Sequence, residues 1–252
     1  MRYFIAVNYG TSDLIESWVS SIRKASQNFS IVLVDNFKNQ GERDVVRVLR
    51  EKLGFNLIEL ENVGYGQALN KAIDFCLADA QAHDFIVFAG NLDIAYESLP
   101  DDLPEGRFVY VAQAMEGERN RNPFLTKMQR RVVGFHRLSL LTNSLFVWMA
   151  VILVTKIVGK IPSKIWTVHG SLFIFSSKCI DKNREMFNAQ SFLYSEELEF
   201  GSYMESKGAK FIDVDIVYRH AAHAATGSVV ASRREFMSLW VPSFRNWVKR
   251  WA

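Results

Sequence analysis

The fold class follows from the stretch IVLVDN at residues 31–36, a short apolar run that ends in two polar residues. A run of this length that is rich in Val and Ile predicts a strand buried on both faces. Comparable runs occupy residues 3–7, 56–60 and 85–88. We therefore expect several buried strands in the first half of the chain, each ending in polar or glycine residues.

Helical patterns separate these strands, at about residues 13–27, 44–53 and 67–82. In the first pattern Asp13 is a predicted N-cap, with Glu16 three residues later in capping-box spacing. Strands that alternate with helices predict an α/β fold whose central sheet is mostly parallel and covered by helices on both faces. Ligands of such sheets bind at the carboxyl ends of the strands.

The composition argues against nucleic-acid-binding and secreted proteins. The chain has 252 residues and a formal net charge of only +3, so it shows no basic footprint for nucleic acid. The two cysteines, Cys76 and Cys179, lack metal-type spacing, and we expect reduced thiols in a cytoplasmic protein. Residues 1–8 are too short and too strand-like to form a signal peptide.

Two later segments are strongly apolar or amphipathic. Residues 138–155 carry no charge, and their length of about 18 residues is near the lower limit for a membrane span. Because several of them are polar, we expect an interfacial helix, a core helix or an oligomer contact instead. Residues 233–252 place aromatic side chains at helical spacing among basic ones. This pattern predicts an interfacial helix with salt-sensitive membrane attachment, or else a helix docked on the core.

The remaining second half predicts further regular elements. The apolar run at residues 171–175 predicts a strand, and residues 196–207 predict a helix that ends at Gly208. Residues 210–217 predict either two short strands or one broken strand.

Asp35 and Asp93 each follow the apolar run of a predicted strand. The Asp35 carboxylate is suited to accept a hydrogen bond from a pyrimidine base, or to cap a turn. Asp93, in the Asn-Leu-Asp sequence at 91–93, offers one carboxylate to Mg²⁺ or Mn²⁺, which prefer oxygen ligands. A strand-end turn is the alternative there, so the residues alone leave both roles open.

The stretch NVGYGQALN at residues 62–70 places two glycines in a strand-to-helix loop. Glycine permits positive φ and close approach of the backbone to a ligand, and N–H groups at a helix start favour phosphate. The third glycine of the dinucleotide fingerprint is absent. An ordinary tight loop is an equally good interpretation of this stretch alone.

The stretch YSEELE at residues 194–199 crowds three carboxylates into the start of a predicted helix. The helix dipole favours acidic residues there. Crowded carboxylates also raise one another's pKa, which suits a general base that works near neutral pH. His220 and His223 follow a later strand-like run. Imidazole can ligate a metal or bind phosphate, although an isolated histidine is more often structural.

Taken in order, these motifs resemble those of family 2 glycosyltransferases of the GT-A fold, and especially the bacterial rhamnosyltransferase-like branch. The resemblance covers about residues 3–115 and 166–228. Its most specific motif is N-x-G-x-G-x-A-x-N, at residues 62–70. Residues 192–199 are similar to the family's F-L-Y-x-E-D-x-D, and residues 91–93 stand where the family has N-P-D or D-x-D.

The resemblance implies roles for individual residues. Glu197 stands at the position of the family's catalytic base, with Glu196 beside it. Asp93 and His220 stand at the positions of the ligands of Mg²⁺ or Mn²⁺. His223 is the alternative to His220 for this position. The implied acceptor positions are Gly170 and Ser171. The positions implied to bind the nucleotide sugar are Val7, Asn8, Tyr9, Asp35, Gly64, Tyr65, Gly66, Asn70 and Asn91.

The implied architecture is a single GT-A domain over residues 1–228. It divides into a nucleotide-sugar-binding half at 1–115, a hydrophobic helical insertion at 116–165 and an acceptor half at 166–228. An amphipathic tail follows at 229–252. The implied reaction is inverting transfer of a sugar from a dTDP- or UDP-sugar to a saccharide or lipid-linked saccharide, in bacterial cell-surface polysaccharide synthesis at the inner face of the plasma membrane.

Two other functions remain compatible with the sequence. A nucleotidyltransferase would share the sheet and the metal, but its glycine-rich basic first loop is absent at residues 8–12. A catalytically weak sugar-nucleotide-binding protein is the second alternative, because Asn91 stands at the first acidic position of D-x-D. We also expect that the apolar run at 145–154 could support a homo-oligomer.

Overall fold

The computed structural model describes residues 1–81, 83–135, 145–221 and 233–251. The strands are Arg2–Asn8 (β1), Phe29–Asn36 (β2), Asn56–Leu60 (β3), Ile86–Gly90 (β4), Ile94–Ser98 (β5), Phe108–Glu116 (β6), Arg119–Asn120 (β7), Leu125–Thr126 (β8), Ile165–Thr167 (β9), Leu172–Ser176 (β10) and Lys210–His220 (β11). The helices are Ile15–Ala25 (α1), Gln40–Leu53 (α2), Tyr65–Asp79 (α3), Lys127–Val133 (α4), Leu145–Val158 (α5), Glu196–Ser206 (α6) and Arg233–Trp251 (α7).

The main sheet has the strand order β3-β2-β1-β4-β10-β6-β11-β5, with β7 paired to β6. Strands β1 to β4 are mutually parallel, which confirms the predicted α/β half. The second half is mixed, because β10 runs antiparallel to both β4 and β6. The expectation of a mostly parallel sheet therefore holds only for the first half. A separate two-stranded sheet joins β8 to β9.

The sheet is a middle layer, and strand β1 shows why. Tyr3 and Ile5 pack against α3 and α6 on one face, while Phe4 packs against α1 and α2 on the other. Each of these side chains is at most 1% exposed. Alternate residues of a strand point to opposite faces, so a continuous apolar run is what a strand needs when helices cover both faces. Full burial of one such side chain contributes about 1.5–3 kcal/mol.

Two helix starts differ from the predicted ones. Helix α2 begins at Gln40 rather than Asp44, because the Asn39 side chain caps it by accepting a hydrogen bond from the Glu42 N–H (3.0 Å). The predicted capping box at Asp13 is wrong. Asp13 lies in a short 3₁₀ turn, and no side chain caps α1.

Strand β11 is one broken strand, which confirms the second of the two predicted forms. Its pairing with β6 shifts register between Asp213 and Val217. The strand still runs parallel to β6, so its last residue, His220, ends at the same edge of the sheet as the carboxyl end of β6.

Helix α5 contains the described part of the apolar segment, whereas residues 138–144 lie outside the described residues. It packs on α4, where the Gln129 side-chain amide donates to the Thr155 carbonyl (3.3 Å). Its opposite side is exposed, with Phe146 at 81% and Leu153 at 60%, so the expectation of a core helix is wrong for that side. Within the described residues, no helix has the length and apolar character required to cross a membrane.

Helix α7 docks on the core through its aromatic side. Phe244 and Trp247 are buried, and the Trp247 indole N–H contacts the Leu198 carbonyl (3.1 Å) and the Ser202 hydroxyl (2.9 Å) of α6. Of the two predicted forms, the structure therefore shows the helix docked on the core, with Phe244 and Trp247 covered by protein.

We predict that Trp247→Ala lowers the free energy of unfolding by about 3–5 kcal/mol, because it leaves a cavity and an unpaired Ser202 hydroxyl. Urea unfolding followed by circular dichroism measures the change. Lys249→Ala, at an exposed position of the same helix, is the matched control. A change within about 0.5 kcal/mol for Trp247→Ala would show that α7 does not dock as described.

Candidate active site

A cavity of about 340 Å³ opens at the carboxyl ends of the parallel strands. From β1 the chain moves to β2 on one side, but β4 joins β1 on the other side. Ligand sites of open α/β sheets lie at such a change of direction, and the volume is typical of small-molecule sites. The predicted site residues that line the cavity are Val7, Tyr9, Gly64, Tyr65, Asn91, Asp93, Gly170, Ser171, Glu196, Glu197 and His220.

The carboxyl ends of the parallel strands form one wall of the cavity, and the start of β10 forms a second wall. Because β10 runs antiparallel to β4, its first residues meet the end of β4. The Asn91 N–H donates to the Ser171 carbonyl (2.9 Å). This approach requires a glycine at position 90, since a Cβ there would lie 2.4 Å from the Ser171 carbonyl oxygen. The predicted metal segment at 91–93 is therefore held beside the predicted acceptor positions.

The start of α6 brings two carboxylates to this wall. Tyr194 has a φ of 62°, an uncommon left-handed conformation for a residue other than glycine. The turn leads directly into Glu196 and Glu197. A Cβ on Gly170 would lie 2.4 Å from Glu197 Oε1, so the absence of a side chain at 170 gives the carboxylate its place. The Thr167 hydroxyl donates to the Glu197 carbonyl (2.7 Å) and fixes the backbone there.

The Glu197 carboxyl group has a pKa near neutrality. Burial and, to a smaller extent, the neighbouring charge of Glu196 raise the pKa from 4.5 to about 7, although hydrogen bonds from the backbone of Glu197 and Gly170 lower it. Burial also raises the pKa of Glu196. A carboxyl group with a pKa of about 7 can both take and release a proton at physiological pH.

The third carboxylate of the predicted crowd, Glu199, has a different environment. Its Oε2 accepts hydrogen bonds from the Trp251 indole (2.6 Å) and the Arg250 guanidinium (3.1 Å) of α7. Its side chain is buried and does not line the cavity. Glu199 therefore joins α6 to the C-terminal helix and takes no part in the cavity wall.

His220 lies between two carboxylates. Its Nε2 is 3.3 Å from Asp93 Oδ1, and its Nδ1 is 3.0 Å from Glu116 Oε1. Burial lowers the pKa of His220, but Asp93 and Glu116 outweigh burial, so the net shift is upward. Asp93 Oδ1 is buried and accepts no hydrogen bond of good geometry. Arg121 lies 3.2 Å from Glu116 Oε2 and partly neutralises it.

His169 is a site residue that sequence analysis missed. Its Nδ1 lies 2.8 Å from the Ser171 hydroxyl, which also contacts the Tyr218 hydroxyl (2.9 Å). Burial lowers the pKa of His169 to about 4, with a further contribution from the charge of His220. His169 is thus neutral at pH 7. Its position directly before Gly170 was the available signal.

The glycine loop at 62–66 is fixed by two asparagines and by a backbone contact. The Asn36 side chain accepts from the Val63 N–H and donates to Asn62 Oδ1, both at 3.0 Å. Gly64 has a φ of +85°, and a Cβ there would lie 2.6 Å from the Phe192 carbonyl oxygen. Glycine is therefore required both by conformation and by space. The loop and the segment before α6 form one continuous rim.

Asn8 and Asp35 do not line the cavity. The Asn8 amide donates to Asp35 Oδ1 (3.0 Å), and Arg43 Nε contacts Asp35 Oδ2 (3.3 Å). Asp35 is 1% exposed. Both carboxylate oxygens of Asp35 therefore contact protein groups, and its contact with a base stays a prediction.

Gly66 and Asn70 also lie away from the cavity. The Asn70 side chain donates to the Phe187 carbonyl (2.8 Å) and accepts from the Phe187 N–H (3.1 Å). A Cβ on Gly66 would lie 2.9 Å from Phe187 Cβ. Both positions therefore join α3 to the 187 segment, and their contact with a nucleotide sugar stays a prediction. His223, the rival of His220, lies outside the described residues.

The other cavity-lining residues that sequence analysis did not assign come mainly from loops without a periodic pattern. They are Thr11, Asn36, Asn62, Leu92, Glu116, Arg121, Phe192, Leu193 and Tyr194. Asn62, Leu92 and residues 192–194 lie within the quoted motifs, and Asn36 directly follows Asp35, so these were the ones that sequence could have suggested. In the described parts of the chain, no cluster of three or more His, Cys, Asp or Glu side chains is arranged as a ready metal site.

Comparison with known proteins supports the family resemblance. Residues 3–91, about a third of the chain, match the family described as glycosyl transferase family 2, in agreement with the resemblance of the motifs. No significant relative of the chain is found among curated protein sequences.

Solved structures share the fold at low sequence identity. The mannosyltransferase PcManGT from Pyrobaculum calidifontis, in complex with GDP-Man and Mn²⁺, is 17% identical with a TM-score of 0.57, over 98% of this chain and 64% of that chain. S. aureus TarS 1–349 in complex with UDP is 15% identical with a TM-score of 0.53, over 95% and 63%. These likenesses show the GT-A fold. This chain spans less than two thirds of the length of either structure.

We predict that Glu197→Gln stabilises the protein above pH 7. The folded-state pKa of about 7 lies above the ordinary 4.5, so ionisation of Glu197 costs stability as pH rises between these values. A neutral Gln avoids that cost, and the gain reaches up to about 3 kcal/mol near pH 8 and vanishes toward pH 4.5. Urea unfolding at pH 5 and pH 8 measures it, with the exposed Glu51→Gln as control. Equal stability of variant and parent at both pH values would refute the shift.

Proposed function

We propose that this chain, a member of glycosyl transferase family 2, is an inverting glycosyltransferase that moves a sugar from a nucleoside-diphosphate donor to a saccharide hydroxyl. The observation that carries the proposal is that Asp93 and Glu197 line one cavity in different surroundings. Asp93 has an oxygen without a hydrogen-bond donor, and Glu197 has a pKa of about 7. Group transfer needs one place for a phosphate-bound cation and another for a base.

The nucleotide end of the donor would occupy the side of the cavity made by β1, β2 and the glycine loop. Val7, Tyr9, Asn36 and the loop at 62–66 line this side. Its apolar and amide groups suit the face and the edge of a base. PcManGT is described with GDP-Man and TarS with UDP and UDP-GlcNAc, which supports a nucleotide sugar here. We propose a dTDP- or UDP-sugar, with rhamnosyl transfer following from the motif resemblance.

The residues around Asp93 fit Mg²⁺ or Mn²⁺. If His220 donates its Nδ1 proton to Glu116, its Nε2 lone pair faces Asp93 Oδ1 at 3.3 Å. Neighbouring ligands of an octahedral ion with bonds of about 2.0–2.1 Å lie roughly 3 Å apart. A carboxylate that orients a ligating histidine is a common outer-shell arrangement. Asp93 and His220 would hold the ion, and the donor diphosphate would supply further oxygen ligands.

The chemistry assigned to the protein residues is proton removal and positioning. Glu197 takes the proton of the acceptor hydroxyl as that oxygen attacks the anomeric carbon from the face opposite the diphosphate. The bond from the anomeric carbon to the phosphate oxygen breaks, and the diphosphate leaves with the electron pair. The configuration at carbon is inverted. A bound divalent ion would supply charge neutralisation for the leaving diphosphate. Gly170 positions the base because it leaves room for the carboxylate.

We further propose that the acceptor is a saccharide or a lipid-linked saccharide of bacterial cell-surface polysaccharide synthesis. Gly170 and Ser171 would border this acceptor, because they lie directly against Glu197 and Asn91 in the cavity wall. Peripheral contact with the cytoplasmic face of the membrane would bring a lipid-linked acceptor within reach.

We predict that Glu197→Gln slows transfer by about 10²- to 10⁴-fold while leaving donor binding intact, because the variant keeps the shape but loses the base. For the parent, the rate should fall as pH drops below about 7, since the protonated carboxyl group of Glu197 cannot accept a proton. Release of nucleoside diphosphate from UDP- and dTDP-sugars measures both. Glu51→Gln is the matched control. Near-normal turnover of folded Glu197→Gln would reject Glu197 as the base, whereas a parent protein that binds these donors without turnover would favour a sugar-nucleotide-binding protein.

We predict that Asp93→Asn abolishes metal-dependent donor binding, because an amide oxygen carries no charge to hold the cation. A thermal-shift screen of dTDP-, UDP- and GDP-sugars with Mn²⁺ or Mg²⁺ measures this and identifies the nucleotide. EDTA should remove the shift of the parent and leave the variant unchanged. A donor affinity that is the same with and without EDTA would contradict the metal role.

A further inference from the structure

The outward side of α5 is a continuous apolar surface. Phe146, Met149, Leu153 and Ile157 are 81%, 58%, 60% and 55% exposed, and we call them the α5 stripe. Residues three and four apart share one face of a helix, so the stripe extends along most of α5. Val151 faces the protein at 7% exposure. Exposed apolar surfaces of this kind mark a contact with another molecule.

In the segment that carries the α5 stripe, every Asp, Glu, Lys or Arg position is a Lys or an Arg. Residues 119–180 contain ten of the 30 Lys and Arg residues of the chain and none of its 27 Asp and Glu residues. Lys156, at the end of α5, and Lys160 and Lys164 just beyond it are exposed. Arg121, Lys127, Arg130 and Lys178 pair with acidic residues of other segments. The three exposed lysines next to the stripe favour a partner that is apolar in one layer and anionic in the adjacent layer.

A lipid bilayer with anionic headgroups has this combination. A helix that is too short to span the bilayer, with one apolar side and basic flanks, lies in the plane of the headgroups. The basic residues are attracted by the negative surface of the cytoplasmic leaflet. A second copy of the chain is a poorer partner, because it would bring two basic segments together without acidic residues opposite them.

We infer that the hairpin of α4 and α5 docks the protein on an anionic lipid surface, with the α5 stripe at the level of the headgroups. Strand β9 follows this hairpin, and His169 and Gly170 of the cavity come directly after β9. Docking would therefore hold the acceptor side of the cavity near the lipid. The inference goes beyond the transfer reaction, and because vesicle binding needs no sugar nucleotide, either can fail without the other.

Flotation of the full chain with vesicles tests the inference. We expect binding to phosphatidylcholine vesicles that contain about one third phosphatidylglycerol, and weaker binding without the anionic lipid or at high salt. The double variant Met149→Glu/Leu153→Glu should lower the bound-to-free ratio about tenfold or more. The matched control is Val45→Glu/Val48→Glu, which places the same charges on exposed apolar positions of α2. Circular dichroism confirms that each variant is folded.

A fluorescent label locates the contact independently. Cys76 and Cys179 are buried, so an environment-sensitive thiol dye should react with an introduced Leu153→Cys. Its emission should shift to the blue with anionic vesicles, whereas that of the dye on Val48→Cys should not.

Three outcomes would overturn the inference. The first is a parent protein that does not float with anionic vesicles, and the second is a folded Met149→Glu/Leu153→Glu variant that floats as well as the parent. The third is a lipid-free dimer in analytical ultracentrifugation that becomes monomeric in this variant while the parent ignores vesicles. That last result would identify the α5 stripe as an interface between copies of the chain.

Discussion

The cavity depends on one pairing, that of β10 with β4 in antiparallel orientation. The parallel strands offer only their carboxyl ends, which can form one wall. Because β10 runs in the opposite direction, its first residues reach those same ends, and the hydrogen bond from Asn91 to the Ser171 carbonyl fixes the junction. Gly90 permits the backbones to approach this closely. Gly170 then lies against Glu197, so both walls derive from the same contact.

The electrostatics of the cavity follow from how its acidic residues are separated. Glu196 and Glu197 begin the same helix, and burial is the main cause of the raised pKa of each carboxyl group. Asp93 lies on the strand side, next to His220. Glu199, only two positions after Glu197, contacts Arg250 and is removed from the cavity. The three carboxylates that are crowded at 196–199 thus separate into two that line the cavity and one that forms an ion pair with Arg250.

The two apolar or amphipathic helices, α5 and α7, differ in what covers their apolar sides. The aromatic residues of α7 lie against α6, whereas the apolar residues of α5 face outward. Sequence periodicity shows that a helix has an apolar side, but it does not show what covers that side. Phe244 and Trp247 find a complementary surface beside Trp166, and within the described residues the α5 stripe remains open to solvent.

The sequence by itself determined the parallel strands, the helices between them and the group of motifs at the strand ends, because apolar period and turn residues act locally. It also contained the motifs that resemble those of glycosyl transferase family 2. Only the tertiary structure decided that Asp35 and Asn70 are engaged by Arg43 and the Phe187 backbone, and that Glu116, Arg121 and His169 line the cavity. Those contacts join residues that are far apart along the chain. A side chain's partner, and with it its pKa and its access to a ligand, is set by packing between elements, which no local pattern records.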